Sequence, residues 1–105
     1  MDTDELFGKM VDAGKGLAGG IWSDMETVAL PELRKIALQI GELAKPGSPW
    51  SPEEAKLLLK MQTRSAVGII VAMTALTLLA VQNAINAILD AVRNFVNGKL
   101  PFPLL

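Results

Sequence analysis

Apolar residues recur at helical spacing in three stretches of the chain, and no stretch alternates apolar with polar in the way a strand does. In the first stretch, residues 1–20, Leu6, Phe7, Met10, Val11 and Leu17 follow one line, while Asp4, Glu5, Lys9, Asp12 and Lys15 lie mainly off it. Asp2 with Glu5 three residues on reads as a capping box. The pattern predicts a short amphipathic N-terminal helix, weakened by Gly8, Gly14 and Gly16 and ended by Gly19-Gly20. The second stretch, residues 23–45, opens with the same kind of cap, Ser23 and Glu26. Leu33, Ile36, Ala37, Ile40, Leu43 and Ala44 then form one narrow stripe, with Glu32, Lys35, Gln39 and Glu42 opposite. This predicts an amphipathic helix, kinked where Pro31 removes a backbone donor.

Residues 46–50, PGSPW, cannot continue a helix and predict a turn. Directly after it stands the clearest start signal in the chain. Ser51 caps, Pro52 takes the first helical position and Glu54 closes the box. No proline or glycine pair interrupts the pattern from there to Asn97-Gly98, a helix stop. The expectation is therefore an all-α helical hairpin whose second arm is one very long C-terminal helix, about 52–97. At about 1.5 Å per residue it would span roughly 68 Å. Leu33, Ile36, Ile40 and Leu43 are expected to meet Leu57, Leu58 and Met61 across the turn. Residues 98–105, GKLPFPLL, form an apolar, proline-stiffened tail to this single domain.

Wound at about 100° per residue, the long helix shows a seam whose character changes along its length. Near the start the seam is apolar (Leu57, Leu58, Met61), and Lys56, Lys60, Thr63 and Arg64 lie on or near the opposite face. In the middle it becomes small: Ser65, Gly68, Ala72 and Ala75. The opposite face there is large and apolar: Val67, Ile70, Val71, Leu78, Val81 and Ile85. From Ser65 to Leu89 no residue is charged. Small residues at a helix contact with large ones outside is the pattern of helices packed in lipid, and an apolar run of ~20 residues suffices to cross a bilayer. Toward the end the seam turns polar, with Gln82, Asn83, Asn86, Asp90 and Arg93, which suits a wet interior or a membrane interface.

Composition narrows the chemistry. The 105 residues contain no cysteine, histidine or tyrosine, which removes thiol nucleophiles, histidine general bases and Cys/His metal sites. Ten basic against eleven acidic residues leave no field to recruit nucleic acid, and no basic patch is interleaved with aromatics. The glycine-rich GKGLAGG, residues 14–20, lacks the phosphate-loop pattern and has no strand before it. Asp2, Asp4, Glu5 and Asp12 fit helix-start acids better than a metal loop. No catalytic residue, cofactor, metal or small-molecule substrate is expected. The acidic opening MDTDE does not fit a cleavable signal peptide. The mean hydropathy of +0.36 is high for a small domain. Two short amphipathic helices and a tail are too little to cover the apolar run on all sides. The expectation is a self-associating, membrane-interacting structural subunit with a transmembrane helix over 65–89. It would belong to a membrane or a membrane-containing particle, as a component of the virion, filament or pore type. The alternative is a soluble homo-oligomeric helical interaction module.

Overall fold

The long arm is not one helix. In the computed structural model, which describes residues 1–105, four helices follow one another: α1 (Thr3–Lys15), α2 (Ile21–Leu43), α3 (Pro52–Met73) and α4 (Leu78–Asn97). There is no strand, so the all-α expectation stands, but the single helix over 52–97 does not. The break is made by two threonines. Thr74 leaves helical geometry at φ −130°, ψ 175°. Its hydroxyl donates to the Ile70 carbonyl at 2.7 Å and accepts from the Leu76 amide at 3.2 Å. Thr77 then caps α4, accepting from the Ala80 amide at 3.2 Å. Hydroxyls that satisfy local backbone groups compete with helix continuation, and here a turn is the result.

The turn divides the expected apolar span into residues 65–73 and 78–89, each shorter than the ~20 residues a crossing needs. No helix is long and apolar enough to cross a membrane. That corrects the transmembrane expectation. The physical reason lies in what α4 buries. Val81, Ala84, Ile85, Ile88, Val92 and Val96 are all in the core. A straight continuation would leave that face uncovered, whereas folding back lays it against α1 and α3. The shortage of cover is met by the run covering itself.

Each helix packs against its neighbour in sequence, and α4 closes the ring against α1. The connections are short, so neighbours run antiparallel. The bundle measures 41 × 22 × 18 Å. Its core combines Leu6 and Met10 of α1, Met25, Leu33, Ile36 and Ile40 of α2, Leu59 and Ile70 of α3, and the α4 face just named.

Most boundary signals act as the sequence implies. Asp2 caps α1 by accepting from the amides of Asp4 and Glu5, at 2.9 and 3.1 Å. Ser51 and Glu54 form a full capping box, both bonds 3.1 Å. Gly98 is the C-cap of α4. Ser23 is different. It lies inside α2, donating to the Gly20 carbonyl, and the N-cap is Gly20 in left-handed geometry. Pro31 lies inside α2 without ending it. Trp22, Met25 and Ala29 before it and Leu33, Ile36 and Ile40 after it are all buried, which holds both halves in one helix.

α2 and α3 pack together across the turn, with the expected residues buried on the α2 side but not on the α3 side. Leu33, Ile36, Ile40 and Leu43 are buried as the stripe requires. On α3, however, Leu57 and Met61 point outward and Leu58 is half-buried; Ala55, Leu59 and Ala66 take the inner positions. α3 is rotated from the expected pose because a second partner, α4, claims Val67 and Ile70 as well.

Candidate functional site

The outer flank of α3 and the corner beyond it expose more apolar side chain than the rest of the molecule. Leu57 is 58% exposed, Met61 57%, Met73 68%, Leu78 54% and Leu79 67%. Leu57, Met61, Gly68 and Ala72 follow one line at spacings of four, seven and four residues, so helical geometry stacks them as a ridge. It runs roughly 22 Å along the bundle. The seam residues Ser65, Gly68, Ala72 and Ala75 are exposed on this flank or at the corner. Of the four, Gly68 also borders the space between α3 and α4. A side chain built at Gly68 would meet nothing within 4 Å.

The expected faces are therefore exchanged. Large residues point inward, with Val67, Ile70, Val81 and Ile85 buried and Val71 half-buried; only Leu78 lies outside. The small residues are outermost. The polar seam of α4 likewise lines no interior. Gln82, Asn83, Asn86, Asp90 and Arg93 are all exposed. Asp90 and Arg93 pair across one helical turn, with about half of each side chain accessible, a geometry that adds only a few tenths of a kcal/mol.

α3 and α4 pack less closely than any other neighbouring pair, and a groove of about 800 Å³ opens between them. Its α3 wall carries Lys56, Lys60 and Arg64, one helical turn apart; its α4 wall carries Gln82 and Asn86. Leu59, Val67 and Leu89 form the floor. No acidic side chain lines it, and none of the three cations has a carboxylate within ion-pairing distance. The tail closes one end. Asn97 accepts from the amides of Leu104 and Leu105, at 2.9 and 3.0 Å, and donates to the Leu105 carbonyl at 3.1 Å. These bonds seat Leu104 in the core beside the groove.

The basic row is readable in the sequence as Lys56, Lys60 and Arg64 at spacings of four. Its meeting with Gln82 and Asn86 is not, because it depends on the turn at 74–77. Trp22 is buried and Trp50 is 45% exposed. No three acidic, histidine or cysteine side chains converge as metal ligands would. Compared with protein-family models, with curated proteins and with solved structures, the chain matches none.

Proposed function

We propose that the protein is a self-associating helical subunit that works by contact rather than by catalysis, and that copies meet along the ridge of α3 and the α3–α4 corner. The observation that carries this reading is the exposure of Leu57, Met61, Met73 and Leu79 on that flank and corner. Exposed large apolar side chains gathered on one flank and corner point to an interaction site, since leaving them in water forgoes about 25 cal/mol per Å². The small residues Gly68 and Ala72 within the ridge let a second helix approach closely. The missing histidine, cysteine and tyrosine leave little for chemistry and weigh the same way. Subunits of filaments, virions or pores depend on such self-contact.

A lipid surface is the second partner the same flank suits. The uncharged stretch Ser65–Leu89 spans the corner, and Met73, Leu78 and Leu79 project there. Contact of this kind is peripheral, by side chains at one end of the bundle.

Sedimentation velocity over a range of protein concentrations tests the reading. The native chain is expected to form oligomers, and Leu57→Gln/Met61→Gln to remain a monomer. Gly68→Leu, at a position where a Cβ would meet nothing within 4 Å, is expected to break oligomers and leave the fold intact. A native chain that is monomeric throughout and does not co-sediment with vesicles would refute both forms of the proposal.

A further inference from the structure

We propose that the α3–α4 groove is a binding site for a single-chain anionic amphiphile, namely a long-chain carboxylate. Three features of the groove select that chemistry. Its floor is apolar, with Leu59 and Val67 both almost wholly buried beneath it. One wall holds a row of cations that have no carboxylate partner, and the facing wall holds two uncharged amides, Gln82 and Asn86. A ligand that satisfies both surfaces has one anionic head and an apolar body. Lys60 and Arg64 face the head, the Arg64 fork suiting a carboxylate in two-point contact. The amides contribute further donors without adding charge.

The dimensions agree with a small molecule rather than a protein segment. At about 800 Å³ the groove falls within the roughly 300–1,000 Å³ of small-molecule sites. Pro103, Leu104 and Leu105 line it at one end, held by Asn97, so a partner helix cannot run through. The groove borders the ridge at Gly68, whereas Leu57 and Met61 lie outside it, beyond the Lys60–Arg64 row.

Fluorescence titration with cis-parinaric acid, kept below its micelle-forming concentration, tests the proposal on the full chain. Saturable binding of one probe per chain is expected, with displacement by palmitate. Methyl palmitate, which has the same chain without the charge, is expected to compete about tenfold more weakly. Lys60→Gln/Arg64→Gln and, separately, Asn86→Glu are expected to weaken binding about tenfold. All three positions are exposed or nearly so, and circular dichroism verifies that the variants fold. Leu57→Gln, on the ridge, is expected to bind like the native chain, which keeps this site distinct from self-association. Equal competition by methyl palmitate, unchanged affinity in both groove variants, or no saturable binding overturns the assignment. Displacement by an acidic amphipathic peptide but not by palmitate overturns it in favour of a protein partner.

Discussion

Two glycines of α1 look alike in the sequence and have opposite roles. Gly14 is buried, and a Cβ there would run into the Trp22 ring; Gly8 is exposed, with nothing near. Gly14→Ala is therefore expected to destabilise the fold by roughly 1–3 kcal/mol through overpacking. Gly8→Ala is expected to stabilise it by about 0.8 kcal/mol, because alanine is the better helix former. Urea denaturation of the two variants gives both values, and the same sign for both would sink the distinction. Glycine spacing alone shows only a weakened helix; the close approach of Trp22 comes from the α1–α2 packing. Glu32 is a second case. The stripe pattern puts it on the outer side of α2, yet it is 4% exposed. Lys35 holds one of its oxygens at 3.0 Å, and the other has no hydrogen-bond partner. A buried carboxylate so incompletely satisfied adds little to stability. Glu32→Met is expected to be neutral or to stabilise by up to about 4 kcal/mol. A clear drop in the urea midpoint would show that the carboxylate is needed where it is.

Helix stability here follows from which face the neighbouring helices cover, and apolar periodicity reads that face only where the large residues are the ones covered. α2 shows the success. Its stripe Leu33, Ile36, Ile40 and Leu43 is the buried face, and Ile40→Ala is expected to cost roughly 2–5 kcal/mol. α3 shows the failure. Leu57 and Met61 are more apolar than Ala55, yet alanine is inside and the larger residues are outside. Leu57→Ala and Met61→Ala are therefore expected to stay within about 0.5 kcal/mol of the native chain. Chemical denaturation of the three variants checks the contrast, and a large loss at Leu57 would restore the seam-inward hairpin. The turn at 74–77 is the feature that most separates the structure from the pattern of apolar positions. Helix breakers are sought as glycine and proline, and this one consists of Thr74 and Thr77 in an otherwise apolar run. Thr77→Ala is expected to cost about 1 kcal/mol as a lost N-cap. The stronger cue was physical. A chain of this length has no surface with which to cover a 68 Å helix, so bending was the solution available within one molecule.

Once α4 folds back, the bundle closes as a ring whose least tight seam is the one between α3 and α4, and the last residues of the chain are folded against that seam. Asn97 supplies the side-chain hydrogen bonds of this arrangement, beside the apolar packing of Leu100, Phe102 and Leu104. It ends α4, and its side chain makes three hydrogen bonds to Leu104 and Leu105. Leu104 in turn is 5% exposed, so the bonds and the burial depend on each other. Asn97→Ala removes the one oxygen that accepts both amides and the donor to Leu105 together. The residues facing Leu104 would then gain access to water on the groove side, while the four-helix core keeps its own contacts. The expected loss of global stability is roughly 1–3 kcal/mol, from unpaired polar groups and undocking of one leucine. Hydrogen exchange separates this local effect from general unfolding. The amides of Leu104 and Leu105 should lose their protection in the variant, while those of Ile85, Ile88 and Val92 in α4 keep theirs. Protection retained at the tail would mean that Leu104 docks by apolar contact alone. Protection lost throughout α4 would mean that the tail holds the ring closed.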